Sequence, residues 1–509
     1  ARCSAPSGKP RPVRQNPQVR NRPRRAALSL RADRTSTDRT PTDGGPKDGE
    51  PDGRGARRKG PDGQDRAGQG GGDRMVIDRL GWTDPARNGA FAVPAVALSV
   101  WVFAYSLIFG PISVLAFYAL WLPLLASPDL RLWQAPHRLL AILALPALAL
   151  LSTIWSDRPE TSLRAAIQYG TTIVPGLIAA RVVSLPNLAR GLALGGTLVL
   201  AYSHWEGRYS YDVVDGSFAF AGAFQSKNQL GLYASLTLLG ALACLVLERR
   251  RGMAAALALP VLGFAAVTLR MTESAGAIIT LALALAGFGL TLWLSRLAPA
   301  PRLAALAVLL ALIVGGGVLA VQAGAFDSLL GVFGKDTTLT GRTYLWARGI
   351  EYGQSVAPSG LGYYAFWVPG RAEAEELWLQ FHISSFSGFH FHNTAVEAFV
   401  ALGPLGLVLV GGWLLGLLLL PLRTVMGGGA GGASGLLVAL GILFTVRAMV
   451  EIDFLTPYTA GSFLVPFLLL AMADRAADRD ARAARDTALP PLWLREPFPR
   501  AGAFSADAK

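Results

Sequence analysis

Cysteine is almost missing from this chain of 509 residues: it has Cys3, in a polar stretch, and Cys244, inside an apolar run. That pair offers neither a disulfide framework nor a cysteine metal site. Charge is scarce too. Asp, Glu, Lys and Arg make up 16% of the chain and hydrophobic residues 52%, where an ordinary soluble domain carries about 25% charge. Too little charge is present to cover a soluble surface, which points to an all-α polytopic membrane protein.

Aromatic residues are absent from the first 74 positions, which hold 18 of the 47 Lys and Arg and 9 of the 34 Asp and Glu. This stretch accounts for +9 of the net charge of +13. The rest of the chain carries only +4, so no nucleic-acid partner is expected of it. The segment 1–74 is too poor in apolar residues to offset the cost of ordering and is expected to be a disordered basic tail. It reads as a product of upstream translation, with Met75 opening the membrane protein proper, as a solvated arm, or, third, as an arm for nucleic acid or lipid. No cleavage site follows the first apolar run, so that run reads as a retained anchor.

Crossing roughly 30 Å of hydrocarbon takes about 20 mostly apolar residues. About a dozen runs qualify: 90–108, 111–127, 138–155, 165–183, 187–203, 229–247, 253–270, 275–295, 303–323, 395–421, 434–449 and 455–473. Lys and Arg favour cytoplasmic loops. Arg131 and Arg138, Arg181 and Arg190, Arg249 to Arg251, Arg296 and Arg302, and Arg423 fall on alternate connections. Twelve spans then put both termini in the cytoplasm. The division expected is a tail (1–74), nine helices (75–323), a large partly helical periplasmic loop (324–394), three more helices (395–473) and a cytoplasmic tail (474–509).

That loop is too long for a turn, and long loops are commonly functional. Trp346, Tyr352, Tyr363, Tyr364, Phe366, Trp367, Trp378 and Phe381 give it the content of a structured cap, with Leu345, Trp346 and Ile350 spaced for an interfacial helix.

Three stretches carry candidate chemistry. In HFHN (390–393) a histidine stands at the mouth of an apolar run. His392 and Gly403 lie eleven positions apart, which at about 100° per residue returns to nearly the same face of a continuous helix, with Gly406 close by. Small residues let membrane helices approach closely, so the glycines would hold His392 against a neighbour. An imidazole titrating near neutrality can take a proton from an attacking hydroxyl, although a histidine there can equally be a simple interfacial cap. In LTGRTYLWARG (339–349), Thr338 or Thr340 would cap a helix with Arg342 in its first turn. A guanidinium suits phosphate oxygens, and helix amides favour an anion; Arg348 and Arg371 read as interfacial anchors. In GAFQSKNQLGLY (222–233), Lys227 opposes the helix dipole and points with Asn228 to an anionic partner. Arg164, Arg270 and the group Arg447, Glu451 and Asp453 also fall at outer helix ends. They could bind phosphate or sugar hydroxyls, and the last three would most simply pair with one another.

His392, Asn393, nine residues and then Gly403 and Gly406, with TGRTYLW and SKN ahead of them, resemble the O-antigen ligase and Wzy-type polysaccharide polymerase superfamily. The resemblance runs over about 91–473. LGYYAFW (361–367) and RAMVEIDFLTP (447–457) look more like its exopolysaccharide-polymerase branch than like its ligases. It implies a metal-independent, cofactor-free inverting glycosyltransferase of the bacterial inner membrane, with its site on the periplasmic side. The donor it implies is a glycan on undecaprenyl diphosphate, and its implied partners are a flippase and a chain-length regulator. His392 then becomes the candidate base and Arg342 the diphosphate ligand, with Lys227, Asn228, Arg164, Arg270 and Asn393 as candidate substrate contacts. Lys227 departs from the arginine of many relatives.

Other readings stand beside this one. A transporter or flippase of lipid-linked sugars fits twelve spans, but outer-face charges and no repeated halves speak against it. A noncatalytic scaffold makes no demand on His392 or Arg342. A metal on His382, His390 and His392 lacks carboxylates at a recognisable spacing.

Overall fold

The computed structural model describes residues 81–127, 130–211, 218–247, 252–324, 341–426 and 431–488, all in one compact unit. The basic tail, Thr338, Thr340 and the chain beyond 488 lie outside the described residues. The helices are α1 Gly89–Trp121, α2 Pro136–Leu151, α3 Pro159–Val182, α4 Leu185–Glu206, α5 Lys227–Leu247, α6 Met253–Thr272, α7 Ala275–Leu294 and α8 Pro299–Gln322. After them come α9 Arg342–Ser355, α10 Ala372–Gln380, α11 Thr394–Met426, α12 Gly431–Ala448 and α13 Ala460–Ala488. The chain is a helical polytopic membrane protein whose described residues also include one small sheet. Strand β1 (Tyr209–Tyr211) pairs antiparallel with β2 (Phe218–Phe220), Tyr209 opposite Phe220.

Nine of the described segments are long and apolar enough to cross a membrane, against the twelve expected. Polar residues account for part of the difference: α3 carries Arg164 and Gln168, and α4 carries Asn187 and Arg190, so neither is apolar enough. The rest is geometric, because the expected spans 90–108 and 111–127 belong to one helical hairpin. Gly110 takes φ 64° and ψ −156° immediately before Pro111, a backbone open to glycine at a site where the following proline disfavours helix. The arms fold together. Trp121 Nε1 donates to Ser99 Oγ at 2.9 Å, and the Phe91 and Trp121 rings lie 6.0 Å apart, whereas a straight helix would separate them by about 45 Å.

The same Gly-Pro pair recurs in α11, where it corrects the expectation of a continuous helix beneath His392. Gly403 has φ 67° and ψ −163° and precedes Pro404. The arm 394–402 is about 13 Å long, too short to cross, and 404–426 is the spanning part. The reversal brings Ala398 O to 3.0 Å from where a Cβ on Gly406 would lie. Gly403 and Gly406 therefore close a hairpin and share no helix face with His392, which precedes the helix altogether.

One end of the bundle is tied by arginines. Arg138 and Arg181 both reach Asp474 on α13, at 2.7 and 3.1 Å. Buried Arg302 caps the carbonyls of Leu294, Leu297, Val425 and Met426, so the ends of α7 and α11 are satisfied where they would otherwise need water. At the other end a second, separate core forms the cap. Leu345 of α9, Ala374, Leu377 and Trp378 of α10, and Leu361, Phe366, Phe391, Val396 and Val400 are buried together. Arg371 bonds Tyr352 within this cap and fastens it to the bundle through Asp157, and Leu361 N and Gly362 N donate to the carbonyls of Val400 and Ala401, each at 2.9 Å.

Candidate active site

In HFHN the fully buried Phe391 enters the cap core, while the half-buried His390 and His392 lie together beside Glu451. The two imidazoles lie with centroids 4.0 Å apart. His392 has φ +52°, a left-handed conformation that histidine tolerates better than most side chains. Its N–H donates to His390 Nδ1 at 3.0 Å, which makes that nitrogen an acceptor and leaves the proton of a neutral His390 on Nε2. Asn393 ends the turn as an N-cap, its Oδ1 accepting from Ala395 N and Val396 N at 3.0 and 3.1 Å.

Opposite them stands the loop between α12 and α13. Three successive carbonyls of that loop are each taken by a different side chain: Asn393 Nδ2 donates to Met449 O at 3.1 Å, Arg342 Nη1 to Val450 O at 2.7 Å, and Thr394 Oγ1 to Glu451 O at 2.7 Å. Tyr169 and Tyr363 hold Phe454 O and Leu455 O from behind. With its backbone so restrained, the Glu451 carboxylate is aimed at the histidines. Its Oε1 receives Arg342 Nη2 at 3.2 Å and Asn228 Nδ2 at 3.1 Å, and Ser274 Oγ donates to Asn228 Oδ1 at 2.8 Å. Its Oε2 lies 3.3 Å from His392 Nδ1 and 3.9 Å from His390 Nε2. The His392 contact lacks the alignment of a hydrogen bond, and contacts of this kind often tighten when substrate binds.

Electrostatics divides the roles. Burial alone would raise the Glu451 carboxyl, but His392, Arg342 and His390 outweigh it and hold the group below the ordinary carboxylate range, so it stays ionised and is a poor proton acceptor. Burial pushes the His390 imidazole well below its usual value; His392 and Arg342 act in the same direction, and Glu451 opposes them. His390 is therefore held neutral. The His392 and His390 side chains keep 23% and 22% of their surface exposed against 11% for Glu451, so a ligand arriving from outside meets the histidines before the carboxylate.

Of the residues singled out from the sequence, His392, Asn393, Arg342 and Asn228 converge on Glu451 or its loop, with Lys227 adjoining Asn228 as the first residue of α5. Arg164 and Arg270 are exposed and make none of these contacts. The expected pairing within Arg447, Glu451 and Asp453 is realised for Arg447 and Asp453, which meet through two bonds; the Glu451 carboxylate bonds elsewhere. Sequence reasoning thus missed Glu451 as the hub. The available signal was its position, because a carboxylate at the end of an apolar helix must find a cation, and several were on offer.

His390, His392 and Glu451 present ligand atoms within 4.8 Å of one another, and Glu451 supplies a carboxylate that no sequence spacing relates to the histidines. The donor types suit a divalent transition metal. The surroundings suit it poorly, since the Arg342 guanidinium already occupies the same carboxylate and would repel a dication. Prolonged treatment with a strong chelator is expected to leave activity within about twofold of the untreated protein, where loss of a catalytic metal would remove nearly all of it. Inactivation reversed by added zinc or manganese would overturn that expectation.

A sequence profile of the family described as O-antigen ligase matches residues 260–411. The exopolysaccharide production protein ExoQ of Rhizobium meliloti (strain 1021) is 42% identical to this chain over 399 residues, covering 77% of this chain and 90% of that protein.

Proposed function

Because this chain belongs to the O-antigen ligase family, we propose that it is a metal-independent inverting glycosyltransferase that lengthens a lipid-linked glycan, as a polymerase of exopolysaccharide. The observation that carries the reading is the meeting of His392 and Arg342, fifty positions apart, on the Glu451 carboxylate. The 42% identical relative is an exopolysaccharide production protein, which favours polymerisation over transfer to a lipid A core.

In the proposed step an acceptor hydroxyl attacks the anomeric carbon of a donor sugar carried on undecaprenyl diphosphate. The new carbon–oxygen bond forms as the bond from that carbon to the phosphate oxygen breaks, and the configuration inverts. The hydroxyl proton passes to Nε2 of His392, whose Nδ1 faces Glu451. The electron pair leaves with the diphosphate, which needs charge neutralisation more than acid assistance. Arg342 and Lys227 supply the positive charge, and Asn228 links the start of α5 to Glu451. In this reading the active site faces the periplasm from the bacterial inner membrane.

The test is purified protein in lipid vesicles with an undecaprenyl-diphosphate oligosaccharide, following glycan length and release of the diphosphate carrier. Glycan lengthening on the carrier is expected. Arg342→Lys, which keeps charge but loses the guanidinium fork, is expected to slow it by about tenfold or more. Transfer exclusively to added lipid A core would mean a ligase, and carrier movement across the bilayer without bond formation would sink the proposal.

A further inference from the structure

The two imidazoles owe their direction to the residue between them, and Phe391 is held by more than its ring. Its N–H donates to Glu397 Oε2 at 3.0 Å, an oxygen that also accepts from Trp367 Nε1 at 3.4 Å. Its carbonyl accepts from Trp346 Nε1 at 3.0 Å. The ring packs 4.9 Å from both Phe366 and Trp367, and a Cβ on Gly349 would come within 2.8 Å of its Cδ1. The N–H, the carbonyl and the side chain of one residue are thus all fixed, each by a different part of the cap.

We propose that Glu397 and Trp346 are positioning residues, which clamp the peptide groups of Phe391 from both sides and thereby aim His390 and His392 at Glu451. The inference rests on the glycosyl-transfer reading for its consequence, though not for its geometry. The Phe391 N–H belongs to the planar peptide group shared with His390 and its carbonyl to the one shared with His392, so a rotation of those planes swings both imidazoles. Phe391 has no strand neighbour to satisfy its N–H and carbonyl, which need partners when buried. Glu397 sits in the first turn of α11, where a carboxylate is favoured by the helix dipole, and Trp346 comes from α9, four residues after Arg342. One clamp therefore ties the proposed base to the helix that carries the proposed diphosphate ligand. A displacement of about 1 Å at a reacting group can cost about a hundredfold in rate.

The test compares Trp346→Phe, Glu397→Gln and Glu397→Leu in full-length protein in vesicles. Trp346→Phe keeps an aromatic ring and loses the N–H. It is expected to lower kcat roughly tenfold to a hundredfold, with KM within about twofold. Glu397→Gln keeps an acceptor oxygen and should stay near wild type, whereas Glu397→Leu should fall with Trp346→Phe. The second readout needs no substrate: the rate at which diethyl pyrocarbonate modifies each histidine, read by mass spectrometry. That rate should change for both His390 and His392 in Trp346→Phe and Glu397→Leu and not in Glu397→Gln. Unchanged kcat, or lost kcat with unaltered modification rates and a lowered melting temperature, would overturn the positioning role. Altered modification rates in a protein whose wild type transfers no sugar would leave the clamp standing and refute the transfer reading.

Discussion

Replacing His392 with glutamine is expected to lower glycan transfer by about a thousandfold, within the range of roughly a hundredfold to ten-thousandfold for loss of a general base, while the protein still inserts and folds. Glutamine keeps much of the shape and hydrogen-bonding capacity of the imidazole but cannot take a proton at neutral pH. Glu451→Gln is expected to be milder, about tenfold to a hundredfold. Its amide oxygen can still accept from Arg342 and Asn228, which now share Oε1, but the negative charge opposite His392 is gone. The two residues should act as a unit, so the double variant should be little worse than His392→Gln alone. Turnover measured with the lipid-linked donor in vesicles checks all three. Full activity in His392→Gln would remove the proposed base. Multiplying losses in the double variant would mean that Glu451 works apart from His392.

The second large effect is structural. Gly403→Ala should lower the melting temperature sharply and reduce the yield of folded protein. A Cβ there would stand 2.1 Å from Pro358 O and 3.0 Å from Gly360 N, on a backbone of φ 67° and ψ −163° that is almost confined to glycine and costs about 1–3 kcal/mol elsewhere. Strain and clash add, and the clash pushes on the segment whose next residues, Leu361 and Gly362, bond to the arm 394–402. Two controls separate the contributions. Gly110→Ala has nearly the same backbone with nothing within 4 Å of the new Cβ, so it should show strain alone. Gly411→Ala has open space and a helical backbone and should be close to neutral. A Gly403→Ala protein as stable as Gly411→Ala would overturn the hairpin reversal at Gly403.

Much of the site is legible along the chain, and the parts that are not have physical causes. His392, Asn393, Arg342 and Asn228 stand out by residue type and by position at the ends of apolar runs, and the structure gathers them around one loop. Glu451 is visible as a carboxylate at an outer helix end, but its nearest cation in sequence, Arg447, suggests the simpler pairing. Asp453 takes Arg447 with both of its oxygens, which frees Glu451 for partners that lie far away along the chain. The glycine pair misleads for a different reason. An eleven-residue spacing describes a helix face only if the helix runs unbroken, and Gly403 before Pro404 is itself a signal of a break. The same pair at Gly110 and Pro111 happens to fall between two expected spans, where the break costs nothing.

Composition and local order alone determine the kind of molecule. Scarce charge, long apolar runs and an aromatic outer loop make a helical membrane protein with a cap, because burial in lipid and the length needed to cross it depend on neighbours in sequence. Only the tertiary structure decides which charges meet. Asn228, Arg342, His392 and Glu451 come from four separate elements, and no local periodicity relates their numbers. Their convergence is set by the hairpin at Gly403, the cap core around Phe391 and the three captured carbonyls of the 449–451 loop. Electrostatic partnership falls off over ångströms of space while sequence distance leaves it untouched, so the hub at Glu451 appears once the chain has folded.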